Sequence, residues 1–207
     1  MTLESFHTTE LAERCKSALL ILQDVLNNGN VISKKDFEEA YGLVIFNSQG
    51  ASVGAGGEVG SGLVMARHAK GDWSLPSAVS QTYVGGGPSF GVNVYSSVRV
   101  LKKEEFEKCF IKQIREYGMQ FAAAAGPLGI KIEVEGQSMV QRATKSEGVY
   151  FGWTVGATHF KENKDLNAKF YGKEVAAREV LRGEIQVPEA GMNEVRSLWD
   201  FLTLLEK

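Results

Sequence analysis

Where the glycines fall constrains this chain more than any other feature. There are 23 of them, and most lie inside or beside runs of β-branched and aromatic residues rather than between such runs. A glycine within a strand weakens it locally and marks a bulge, a corner or a close backbone approach. The runs are LVIFN (43–47), SGLVMARH (61–68), GVNVYSSVRVL (91–101), IKIEVEG (130–136) and GVYFGWTVGA (148–157). IKIEVEG and GVNVYSSV alternate apolar with polar or small residues, the pattern of half-buried antiparallel strands. A chain built this way is expected to form a strongly bent antiparallel sheet, or a closed barrel.

Helical periodicity frames the strands. Leu11, Cys15, Leu19, Leu22 and Leu26 recur at spacings of three and four and predict an amphipathic helix over about 8–27. Asn27-Asn28-Gly29-Asn30 stops it. A short second helix is expected from Ser33, which can cap the amide of Asp36 while Ile32 and Phe37 form a hydrophobic staple. Phe106, Phe110, Ile114 and Tyr117 predict a helix inserted over 103–117. KEVAAREVLRG ends a further helix on Gly183, and Met192, Val195, Trp199, Leu202 and Leu205 stripe a C-terminal one. The fold class is therefore α+β, with the sheet flanked by helices at both ends. At 207 residues, with no linker or low-complexity tract, the chain is expected to form one domain over 1–207.

Composition narrows the function classes. The net charge is −2 and the pI near 6.0, so the chain as a whole is no polyanion binder and no nucleic-acid partner is expected. Cys15 and Cys109 fit no metal spacing and no disulfide framework, and the polar start lacks a signal-peptide core. No run approaches the length of a membrane span. A cytoplasmic protein is the expectation.

The motifs that could carry chemistry fail on context. GAGGEVGSG (54–62) is one residue too long for a dinucleotide loop, and LVMAR follows where a helix should begin. Its glycines read as relief of crowding at a sheet corner. GPSFG (87–91) matches a nucleophile elbow around Ser89, with His159 downstream, but the elbow needs a helix after it and VNVYSSVRVL is a strand. His7, His68 and His159 stand apart from one another and from any Cys or carboxylate cluster, so neither metal nor cofactor is expected. Phe46, Trp73, Phe90, Tyr150, Phe151 and Trp153 are expected to fill the sheet interior, leaving no room for an apolar ligand. Gly126-Pro127-Leu128-Gly129 is expected to make a tight turn between antiparallel strands.

Six pieces, in order, carry a resemblance. YGLVIF (41–46), GGEVGSGLVMAR (56–67), GDWSLPSA (71–78), AAAAGPLG (122–129), KSEGVYFGWTVGA (145–157) and Asn167 with Tyr171-Gly172 resemble the SYLF domain, over about residues 10–195. The resemblance implies a non-enzymatic module that binds phosphoinositide-containing membranes peripherally and is linked in some members to actin and endocytosis. The basic contacts it implies are drawn from Arg14, Lys16, Lys34, Lys35, Lys131, Arg142 and Lys145. Each basic residue near an anionic leaflet contributes about 1 kcal/mol. This chain departs from the pattern at Glu58 and Glu147, where the family favours basic residues, at Tyr41, and at Gly156-Ala157. Two alternatives stand beside the lipid reading: a protein-interaction module binding actin or an endocytic scaffold with lipid affinity lost, and a hydrolase using Ser89.

Overall fold

A computed structural model describes residues 11–28, 32, 34–111, 116–126, 128–135, 138–139, 142–185 and 192–205. Three long strands dominate: β1 (Gly42–Ala66), β2 (Ser77–Leu101) and β6 (Arg142–Glu162). Shorter β3 (Glu116–Gly126), β4 (Leu128–Glu135) and β5 (Ser138–Met139) extend the sheet in the antiparallel order β1-β2-β6-β3-β4-β5. Among the described residues no ladder joins β1 to β5, so the sheet is bent but open, not a barrel. Helices α1 (Leu11–Asn28) and α2 (Lys34–Glu38) precede it. Helix α3 (Lys103–Phe106) and a π-helical turn (Glu107–Ile111) interrupt it, and α4 (Lys164–Tyr171), α5 (Ala177–Leu181) and α6 (Met192–Leu205) follow.

The bend lies in the middle of the long strands. Gly54 has φ 74, and the β1–β2 register slips there, between Val53↔Phe90 and Ala55↔Gly86. Beyond that point β1 returns beside its own first half. The Arg67 amide donates to the Tyr41 carbonyl at 2.8 Å, and a Cβ at Gly62 would lie 1.9 Å from the Ile45 carbonyl oxygen. The corner reading of GAGGEVGSG therefore holds, and LVIFN and SGLVMARH are two ends of one strand. Glycine's weak strand preference concealed the continuity.

The described helices cover the strand ends. Residues 42–46 and 62–66 of β1 are buried on both faces. On the outer face Leu43, Ile45, Leu63 and Met65 meet Leu11, Cys15, Ala18, Ile21 and Leu22 of α1 and Val195, Leu198 and Leu202 of α6. On the inner face Val44, Phe46 and Val64 pack with Phe160 and with Phe106 and Phe110 from α3 and the π-helical turn. Continuous apolar runs are what two-sided burial requires. Burying one leucine of α1 contributes about 1.5–3 kcal/mol, which holds that helix on the sheet. Leu19 packs partly buried on the same core, and the side chain of Leu26 lies outside the description.

Two boundaries differ from expectation. The helix expected over 103–117 is described as far as Ile111, and Glu116 and Tyr117 already belong to β3, because Tyr117 and Phe121 pair with Ala157 and Trp153 of β6. The turn at Gly126–Gly129 forms as a hairpin closed by Ala125↔Leu128, with Pro127 itself outside the described residues. Ser33, the expected cap of α2, is also outside them, whereas Ile32 and Phe37 are both buried.

Candidate functional site

The middle of the sheet, which none of the described helices covers, has two contrasting faces. The inner one is polar. Asn93, Tyr95, Ser97 and Arg99 alternate along β2 and are each 2% exposed or less. The Tyr95 hydroxyl donates to Glu58 Oε2 at 2.6 Å and accepts from Gln81 Nε2 at 3.5 Å. Tyr83 donates to Thr154 Oγ1 at 2.8 Å, and the Arg99 guanidinium lies 5.2 Å from the centre of the Phe160 ring. Glu58 thus faces inward, so its departure from the family's basic preference does not put a negative charge on the surface.

The outer face is mainly apolar, with Gln49 and Thr82 as its exposed polar side chains among the described residues of β1 and β2. Val53, Phe90 and Phe151 form one cross-strand row over β1, β2 and β6, at 77%, 68% and 78% exposure. Val92 and Val149 pair in the next row, and Trp153, Val155, Val84 and Val59 carry the surface over the bend. Nine of the eleven exposed large apolar side chains among the described residues lie on this apex. The expectation that Phe90, Phe151 and Trp153 fill the interior is therefore corrected. Strand alternation sends Tyr150 inward, to 9% exposure, and its neighbour Phe151 outward, while Phe46 and Trp73 are buried as expected.

Of the expected lipid contacts, Arg14 is corrected. It is 6% exposed, and its Nη1 donates to the Gly62 carbonyl at 3.4 Å, so it ties α1 to β1 instead of facing outward. Desolvation lowers its pKa. Lys16 is exposed on α1, and Lys35 is exposed and pairs with Glu39 at 3.6 Å. The backbone places Lys131 opposite Ala122, Arg142 opposite Arg99 and Lys145 opposite Ser96. The side chains of Lys34, Lys131, Arg142 and Lys145 lie outside the description, as does that of Glu147. These residues occupy four separate elements (α1, α2, β4 and β6).

Ser89 sits within continuous β2, opposite Gly152, not at a strand-to-helix turn. Its hydroxyl bonds to Ser52 Oγ and donates to the Gly87 carbonyl at 3.1 Å. His159 pairs opposite Thr82, further along β2. His68 is a strut: its ring nitrogens contact Asp72 Oδ2 and the Leu181 carbonyl, each at 3.2 Å. The hydrogen bond from His68 holds the Asp72 carboxyl below its ordinary range.

The remaining motif residues serve the fold. Asn167, wholly buried, accepts from the Ala78 amide at 2.8 Å and donates to Ser77 Oγ at 2.9 Å. Tyr171 donates to the Pro76 carbonyl at 2.6 Å, and Gly172 ends α4 at φ 68. Trp73 is 6% exposed, with the Arg67 guanidinium 4.9 Å from its ring centre, and Trp199 donates to the Ser74 carbonyl. The sequence reading missed the inner polar row. Its signal was the period-two spacing of Asn93, Tyr95, Ser97 and Arg99.

A bent antiparallel sheet flanked by helices, with Glu58, Tyr95 and Tyr83 hydrogen-bonded inside and an apolar apex outside, defines the class of α+β domain that this chain forms. The chain belongs to the Ysc84 family, described as Las17-binding protein actin regulators, whose model matches residues 82–204. The SYLF resemblance is borne out. The chain is 30% identical over 189 residues to Protein YSC84 of Saccharomyces cerevisiae, covering 88% of this chain and 40% of that protein. It is 33% identical over 170 residues to SH3 domain-containing YSC84-like protein 1 of Xenopus laevis, covering 79% and 50%. LAS seventeen-binding protein 3 of Saccharomyces cerevisiae matches at 29% over 189 residues, covering 88% and 41%. The chain thus spans about half or less of these relatives. No solved structure matches it. Among the described residues, no helix is long and apolar enough to cross a membrane.

Proposed function

We propose that this chain is a non-enzymatic module that docks on phosphoinositide-containing membranes and serves the actin-linked setting its family description names, in endocytic trafficking. The observation that carries the reading is the division of chemistry between the two faces of the sheet. Side chains able to do chemistry, Ser89, Glu58, Tyr95 and Tyr83, are bonded to other side chains or to backbone inside, while the outside offers a surface. A surface of this kind supports adhesion, not turnover. Lys16 on α1, with Lys131 and Lys145 on the strands, supplies the attraction to anionic headgroups, each contributing about 1 kcal/mol and weakening with salt.

The family description favours a second reading, in which the same domain binds actin or an endocytic scaffold and lipid affinity has been lost. Co-sedimentation separates the two. The full chain is spun with phosphatidylcholine vesicles with and without phosphoinositide, at low and high salt, and separately with filamentous actin. The membrane reading expects phosphoinositide-dependent pelleting that weakens in salt and in the double variant Lys131→Glu, Lys145→Glu. Pelleting with actin but with no vesicle would replace it by the second reading.

A further inference from the structure

We infer that the apex of the bent sheet is a membrane-insertion wedge that enters the boundary between headgroups and hydrocarbon, with Phe90, Phe151 and Trp153 as its anchors. The inference rests on the membrane reading above and names the surface that carries it out.

Charge is the first ground. The sequence holds 23 basic and 25 acidic residues, yet none lies between Tyr41 and Glu58, between Ser77 and Val98, or between Gly148 and Thr158. Those three stretches run side by side over the bend. A water-facing surface of a small protein rarely stays uncharged over such a span, and an apolar patch this continuous marks an interaction site.

Shape and backbone are the second ground. The apex is the outside of a fold, hence convex, and the side chains of its inner side are buried. Protein partners seat anchors in pockets and ring them with a polar, hydrogen-bonding rim. The apex is convex and uncharged, and its exposed polar side chains, Gln49 and Thr82, stand at its margins instead of ringing a pocket, which suits hydrocarbon better than a protein partner. Hydrocarbon does ask that backbone groups be paired, and the rows Val53↔Phe90↔Phe151 and Ala51↔Val92↔Val149 are in ladders on both sides of β2, with the register interrupted only at the bend, at 54 and 87–89 against β1 and at 87–88 against β6. Trp153, 40% exposed between Phe151 and Val155 on β6, adds an indole, a side chain that favours the headgroup level.

The test uses the full chain and phosphatidylcholine vesicles with and without phosphoinositide. Trp153 is the exposed reporter, since Trp73 is buried and Trp199 partly so. On binding, tryptophan emission should shift to the blue and be quenched by lipids brominated near the top of the acyl chain. Both effects should vanish in Trp153→Phe. The double variant Phe90→Ser, Phe151→Ser should keep its melting temperature, because both rings are exposed, and lose vesicle affinity by about tenfold or more per phenylalanine at either salt concentration. Binding without quenching, or unchanged in the double variant, overturns the wedge and leaves the membrane reading standing. No binding to any vesicle overturns both. A concentration-dependent dimer that light scattering shows only for the unsubstituted chain assigns the apex to a second copy and overturns the wedge.

Discussion

The hydroxyl of Tyr95 is held 2.6 Å from the Glu58 carboxylate, across the interior of the bent sheet. Glu58 is in the second half of β1 and Tyr95 in the second half of β2, so this bond spans the fold rather than a single ladder. Glu58→Ala leaves a buried hydroxyl without its acceptor and should cost about 1–3 kcal/mol in urea unfolding. Glu58→Gln keeps an acceptor and should cost less. Glu58→Lys, which restores the family's basic preference, should be the most destabilising of the three and should not raise vesicle affinity. A gain in affinity for Glu58→Lys at unchanged stability would show that this position faces outward.

Two glycines of β1 make a contrasting pair. Gly54 has φ 74 with open space around it, so Gly54→Ala should cost only the left-handed penalty, about 1–2 kcal/mol. Gly62 has ordinary dihedrals, but its Cβ would strike the Ile45 carbonyl at 1.9 Å, and backbone cannot step aside as a side-chain tip can. Gly62→Ala should cost about 3 kcal/mol or more. Equal melting temperatures for the two variants would mean that the halves of β1 lie further apart.

The helices and strand ends were legible because burial on one stripe or on both faces leaves a strong apolar signal. Leu11, Cys15 and Leu22 announced α1, and LVIF and LVMA announced the ends of β1. The apex was not legible. An alternating pattern says that Tyr150 and Phe151 face opposite ways but not which way is in, and Gly148 and Gly152 on either side remove the contrast that would decide. The inner polar row failed for the opposite reason: Asn93 and Arg99 look solvent-facing by residue type, and only the fold-back of the sheet buries them. The basic candidates were chosen by resemblance, and a helix stripe could not reveal that Arg14 turns under α1 toward Gly62.

Helix α1 supplies a third test. Leu22 is wholly buried between the sheet and α6. Leu22→Ala should destabilise the chain by about 2–5 kcal/mol, with the urea slope unchanged. Vesicle affinity measured well below the melting temperature should be unaffected, because α1 packs on the domain and its stripe is unavailable to lipid. Loss of affinity without loss of stability would put α1, rather than the apex, in the membrane.

Cys15 supplies the last. It is wholly buried in the same core, and desolvation, with a smaller push from the charge of Glu194, raises its thiol pKa from 9.0 to about 12. The thiolate is the nucleophile, so at pH 8 both burial and protonation protect it. Iodoacetamide should leave Cys15 unmodified in the native chain and label it fully in urea, read by mass spectrometry of the peptide. A folded pKa above the unfolded one means that the native state holds the proton more tightly, so this contribution is complete below pH 9 and is lost as pH climbs from 9 toward 12. Cys15→Ala should flatten the fall in stability over that interval. Rapid native-state alkylation at pH 8 would mean that α1 leaves the sheet often enough to expose it.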